Sequence, residues 1–191
     1  MIAGLLLAAG TSSRFGSNKL LHSLRDGTPI AVAAARNLKH ATERVLAVVR
    51  PGDDVLAQRL QAEGLEIAVC ESAAAGMGHS LACGVAATSD ADGWLITLAD
   101  MPFVSPETLR TVIHHLEAGA TIAAPSFNGQ RGHPVGFGRS LYPELLALEG
   151  DFGARILLTR HATEVKLFDC DDRGICRDID TAADLSAFTN D

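Results

Sequence analysis

Short apolar runs alternate with helix-length segments along this chain, and that alternation limits the folds open to it. Leu5 to Ala9 is continuously apolar, as a strand buried on both faces would be. Strand-like runs follow the same logic at 2–8, 44–50, 65–70, 92–99, 119–125, 134–138 and 163–168. Helices fit between them at about 29–41, 52–63, 79–88, 105–117, 140–148, 152–160 and 181–188. Pro29, Pro51 and Pro106 stand where helices should begin, and Gly64 and Gly119 where they should stop. Ser105 is expected to be an N-cap with Thr108, and Asp151 to cap the helix that follows it. This order implies an α/β fold, a mostly parallel sheet with helices on both faces. At 191 residues and 47% hydrophobic, the chain suits a single domain spanning 1–191. Ligands of such sheets sit outside the carboxyl ends of the strands, so chemistry belongs in the segments just after them.

The polar clusters fall in those segments. After the first strand come Gly10, Thr11, Ser12, Ser13, Arg14, Gly16, Ser17 and Lys19. Glycines let backbone N–H groups approach a ligand, hydroxyls donate, and Arg and Lys neutralise charge, so the loop suits a polyphosphate. It is neither a Walker A loop nor a G-x-G-x-x-G turn. Asp100 follows the buried run Trp94 to Ala99, and a carboxylate there can hold Mg²⁺ against phosphate oxygens. Asp178 and Asp180 lie two apart, so an extended segment turns both to one side. Either can reach a metal, with Asp180 favoured; Thr181 with Asp184 reads as a helix cap. Gly76, Gly78, His79 and Ser80 describe a helix N-terminus suited to an anion or a base. His79 and Cys83 make only half a zinc site. Arg131 and His133 stand among glycines ahead of a strand, and capping by Asp151 leaves Gly153 and Arg155 unexplained.

The net charge of −7 disfavours a nucleic-acid polymer as partner but allows one nucleotide where the cations are concentrated. Residues 2–9 lack the basic lead-in of a secretory signal, and no apolar run approaches transmembrane length. Cys70, Cys83, Cys170 and Cys176 are scattered without C-x-x-C spacing and fit reduced thiols. A cytoplasmic protein with no membrane partner is expected.

Together these segments resemble the nucleotidyltransferases. Leu7, Ala9, Gly10, Ser12, Arg14, Gly16 and Lys19 match L-x-A-G-x-S-x-R-x-G-x-x-K. Asp100-Met101-Pro102 is similar to the family's metal-binding element. Asp178 to Leu185 is similar to D-I/V-D-T-P-E-D-L, with Ala182 and Ala183 in place of Pro and Glu. Arg131 to Pro134 and Gly150 to Arg155 look like the molybdenum cofactor cytidylyltransferase branch of the MobA-like transferases. Ala9 stands where the guanylyltransferase branch has L-A-G-G, which favours CTP over GTP.

The resemblance implies a Rossmann-like fold of the nucleotide-diphospho-sugar transferase kind. It implies Mg²⁺-dependent transfer of CMP from CTP to the terminal phosphate of molybdenum-loaded molybdopterin, with release of pyrophosphate. Leu7, Ala8, Ala9, Gly10, Ser12, Arg14, Lys19, Gly78 and Ser80 would bind the nucleotide, and Arg14, Lys19 and Asp100 would be catalytic. Asp100, with Asp180 or Asp178, would hold the metal. Arg131, His133 and Arg155 would face the pterin, and a molybdenum hydroxylase would receive the product. The alternatives are a guanylyltransferase, another small-molecule transferase acting on a sugar or polyol phosphate, and a non-catalytic carrier of the finished cofactor.

Overall fold

The structure, a computed structural model, describes residues 1–10, 18–181 and 183–184. Expectations for Ser12, Arg14 and Gly16, and for most of the helix over 181–188, lie outside the described residues. The strands are β1 (Ile2–Leu7), β2 (Val45–Val49), β3 (Glu66–Val69), β4 (Gly93–Leu98), β5 (Ile122–Phe127), β6 (Gln130–Arg131), β7 (Val135–Gly138) and β8 (Val165–Asp169). The α-helices are α1 (Ile30–Lys39), α2 (Asp54–Ala62), α3 (Met77–Ala87), α4 (Pro106–Glu117), α5 (Tyr142–Leu146) and α6 (Arg155–Arg160).

All these strands join one sheet, ordered β3-β2-β1-β4-β7-β5-β6, with β8 also paired to β5. β3, β2, β1 and β4 run parallel, and β8 runs parallel to β5. β7 is antiparallel to both β4 and β5. Too few residues separate β5 from β7 for a parallel crossover, so the chain returns as a hairpin. The sheet is therefore mixed, though mostly parallel.

Side chains alternate between the two faces. On β1, Ile2 and Leu6 join α1, α2 and α4 through Leu38, Leu56 and Leu109. Ala3 and Leu5 join α3, α5 and α6 through Leu81, Leu145 and Leu157. Both faces of β1, β2 and β4 are thus covered, which explains why they read as largely apolar runs, while β3 at the edge stays partly exposed. Small residues set the helix spacing. A Cβ on Gly4 would lie 2.9 Å from Leu38 Cδ1, and Ala31 and Ala35 are fully buried. Trp94 is fully buried in β4, donates Nε1–H to Thr88 Oγ1 at 2.9 Å, and stacks on Tyr142.

The punctuation holds with exceptions. Ser105 caps α4 by accepting the Thr108 N–H, and Pro106 is the first helical residue. Gly64 and Gly119 end α2 and α4 at φ of 83° and 94°, a region that favours glycine. Pro51 instead lies in the turn ahead of α2, which starts at Asp54. Asp151 does not cap α6. The chain turns again at Gly153 (φ 50°), and α6 begins at Arg155 after Ala154, with no side-chain cap.

Candidate functional site

β1 and β4 are neighbours whose onward connections diverge, β1 through α1 to β2 and β4 through α4 to β5. Such a switch point leaves a crevice beyond the strand ends. Leu7 and Leu98 are paired there. The ladder carries on past them, with Ala8 N–H on Val48 O at 2.9 Å and Ala99 N–H on Leu7 O at 3.1 Å.

At Asn18 the side chain accepts the Leu20 N–H and opens a single 3₁₀ turn, Lys19–Leu21. Leu20 enters the core while Lys19 reaches across the strand ends. Its Nζ donates to Asp100 Oδ2 and to Asp180 Oδ1, both at 2.8 Å. Asp180 arrives by a separate device. Ile179 N–H bonds Asp100 O at 2.9 Å and its side chain is fully buried, which leaves its two acidic neighbours on the outer side. Burial works against the Lys19 charge, but the hydrogen bonds to Asp100 and Asp180 outweigh it and raise its pKa. Lys19 is therefore held as a cation between two carboxylates. Asp178 lies instead towards His133, whose protonation its charge favours.

Among the described residues no cluster of three His, Cys, Asp or Glu side chains is arranged for a metal ion. The Asp100–Asp180 pair still fits one of the hard cations. Two carboxylates already converge on a single positive charge, and Mg²⁺ or Mn²⁺ commonly takes one or two carboxylates, with phosphate and water oxygens filling the rest of its shell.

Two clefts adjoin beyond the strand ends, and Asp100 lines the first of them. The first, about 300 Å³, is lined by Leu7, Ala9, Gly10, Gly76, Ser80 and Asp100. The second, about 340 Å³, holds Arg131, His133 and Arg155 against an apolar wall that includes Leu81, Ile96 and Phe137. Leu7, Met77, Leu98 and Asp151 border both. Two segments separate in sequence thus bring together Arg131, His133 and Arg155, the residues expected to face the acceptor. Neither the Arg131 nor the Arg155 guanidinium has an ion-pair partner among the described residues. Burial, and then the charge of Arg155, lower the Arg131 pKa.

His133 reaches the second cleft because the β5 hairpin is interrupted. Gly132 N–H bonds Pro125 O and His133 N–H bonds Ile175 O, so the chain leaves the ladder between β6 and β7. A Cβ on Gly132 would lie 2.3 Å from Ile175 O, so only glycine allows that approach. His133 lines the cleft, while its Nδ1 is buried without a hydrogen-bond partner among the described residues. Burial, followed by the Arg131 charge, pushes its pKa down to about 4, so the ring is neutral at pH 7.

Ala8, Gly78 and Lys19, expected at the nucleotide, are not among the residues lining the first cleft. Ala8 is turned into the core. Gly78 does not line the first cleft; a Cβ on it would come 2.6 Å from Glu149 O, so its role is close packing. The sequence reading missed Asp151 and Met77 as the border of both clefts. The signal for Asp151 was present in its glycine-flanked segment, but was assigned to helix capping. Cys70 and Cys83 are free, and burial together with Cys70 pushes the Cys83 thiol up to about 11, as expected of an unreactive thiol.

Residues 4–165 match the family model described as the MobA-like NTP transferase domain. Nicotine blue oxidoreductase of Paenarthrobacter nicotinovorans is 31% identical, over 96% of this chain and 94% of that protein. The purine catabolism protein PucB of Bacillus subtilis (strain 168) is 32% identical, over 94% of this chain and 92% of its own. Among solved structures, Rv0371c from Mycobacterium tuberculosis H37Rv superposes with a TM-score of 0.87 at 28% identity, covering 100% of this chain and 97% of that one. A manganese complex of Rv0371c superposes with a TM-score of 0.81 at 26% identity, covering 99% of this chain and 98% of that one. With a family match over most of its length, and Asp100 and the mixed sheet in place, the chain belongs to the MobA-like NTP transferase family.

Proposed function

We propose that this protein, as one nucleotidyltransferase domain, moves CMP from CTP to the terminal phosphate of molybdenum-loaded molybdopterin and releases pyrophosphate. The observation that carries the reading is the Lys19 bridge between Asp100 and Asp180, with Asp100 lining the first of two adjoining clefts. One cleft offers small residues and backbone for a nucleotide. The other offers two guanidinium groups without an ion-pair partner among the described residues, and an apolar wall, which suit an anionic acceptor with a ring body.

Nucleotidyl transfer joins an acceptor phosphate oxygen to the α-phosphorus and breaks the bond to the leaving pyrophosphate. The acceptor phosphate is already anionic, so a strong general base is not required. The protein's work is positioning and charge stabilisation. Lys19, with Arg14 from the loop outside the described residues, would neutralise the α-phosphoryl group and the leaving pyrophosphate. Arg131 and Arg155 would hold the acceptor's charge, and neutral His133 would offer it a hydrogen bond. Asp100 and Asp180 would bind Mg²⁺, which when bound supplies charge neutralisation at the phosphate oxygens. The manganese complex of Rv0371c supports a divalent cation in this fold. Ala9 in place of a second glycine supports CTP over GTP.

Pyrophosphate release tests the reading, with CTP or GTP supplied in turn, with and without molybdenum-loaded molybdopterin. Release that requires both CTP and the pterin is expected. Release with GTP alone would overturn the base assignment. No release with either nucleotide would overturn the transferase reading and favour a carrier or the redox chemistry for which the P. nicotinovorans relative is named.

A further inference from the structure

Two clusters far apart in the sequence, 76–79 and 149–153, form a single unit in the structure. Every residue of the first cluster touches the second. A Cβ on Gly76 would lie 2.3 Å from Gly150 C and 2.7 Å from Asp151 N. A Cβ on Gly153 would sit 3.2 Å from Met77 Sδ. Gly78 N–H bonds Gly150 O at 2.8 Å, and a Cβ on it would meet Glu149 O at 2.6 Å. Gly150 N–H then donates to His79 Nδ1 at 3.2 Å. The start of α3 is therefore a seat for the 149–153 loop. Glycines bring the two backbones together, and one imidazole nitrogen satisfies the loop's N–H.

The seat has a position worth holding. Gly76 and Ser80, on and beside α3, line the first cleft, and Phe152 and Arg155, on and after the loop, line the second. Met77 and Asp151 border both. α6 has no side-chain cap to anchor its start, so the loop ahead of it fixes where Arg155 stands.

We propose that His79 is a positioning residue for the acceptor half of the site. By accepting the Gly150 N–H it sets the loop that places Asp151, Phe152 and Arg155, without itself touching the reacting atoms. This rests on the reading of the second cleft as the acceptor site.

The test compares His79→Leu, which keeps bulk but removes the acceptor atom, with His79→Asn, whose side-chain oxygen can take the place of Nδ1. Arg155→Ala controls for the cleft itself. His79→Leu is expected to raise KM for molybdenum-loaded molybdopterin about tenfold, the scale of one lost hydrogen bond. The KM for CTP and kcat should stay within about twofold. His79→Asn should restore the acceptor KM. Equal defects in both His79 variants would overturn the hydrogen-bonding role. An unchanged KM in His79→Leu, with a raised KM in Arg155→Ala, would overturn this inference and leave the acceptor reading standing. An unchanged KM in Arg155→Ala would overturn the acceptor reading itself. Hydrogen exchange of the 149–153 peptide serves if a variant does not fold. The wild-type Gly150 amide should be protected, and fast exchange there would overturn the inference.

Discussion

Lys19, Asp100 and Asp180 were all legible as charged residues after apolar runs, because strand ends are where this sheet class places its chemistry. Their mutual geometry was not legible. Nothing in the spacing says that Ile179 plugs into the core and bonds Asp100 O, and that device brings Asp180, rather than Asp178, to Lys19. His133 was also singled out, but its burial and neutrality come from a break in the β5 hairpin that the sequence did not signal. That burial has a consequence for stability. The folded pKa is held at about 4, below the ordinary value of 6.5, by burial first and Arg131 second. Between those values the unfolded chain binds more protons than the folded one, so stability rises with pH across the window. The contribution is complete above pH 6.5 and is lost as pH falls towards 4, at most about 3 kcal/mol. Urea denaturation from about pH 4 to pH 7 should show a shallower pH slope for His133→Gln than for the wild type. Equal slopes would mean that His133 titrates as a free histidine.

At the scale of elements, the apolar alternation gave the helices and the parallel strands, since helices cover both faces of that half of the sheet. The hairpin half was less legible. β6 is only two residues long, and the return of β7 depends on a short connection rather than on hydrophobic pattern. Asp172 stands in a plain acidic stretch that signals no role, yet it accepts from three donors in two segments. Its Oδ2 accepts the Ser105 N–H at 2.8 Å and the Thr108 hydroxyl at 2.7 Å, and its Oδ1 accepts the Gly174 N–H at 2.9 Å. It therefore ties the start of α4 to the 3₁₀ turn Arg173–Cys176 that leads into Asp178 and Asp180. Asp172→Ala removes one charged acceptor from three donors and should cost about 2–4 kcal/mol. Urea denaturation reads this directly. A loss below about 0.5 kcal/mol would show that water replaces Asp172 without penalty.

At the scale of the molecule, one sheet gathers segments from both ends of the chain around a single crevice. The parallel half presents the first cleft, residues of the hairpin half line the second, and Leu7 and Leu98 at the seam border both. No helix among the described residues is long and apolar enough to cross a membrane. Transfer between the two clefts is proposed to depend on the carboxylates bridged by Lys19. CTP labelled in its α-phosphate, incubated with molybdenum-loaded molybdopterin and Mg²⁺, tests that dependence. Label is expected in the pterin product, at a rate lowered about 10²-fold or more in Asp100→Asn and in Lys19→Gln. Label that stays with the nucleotide, or variants that transfer it at the wild-type rate, would contradict it.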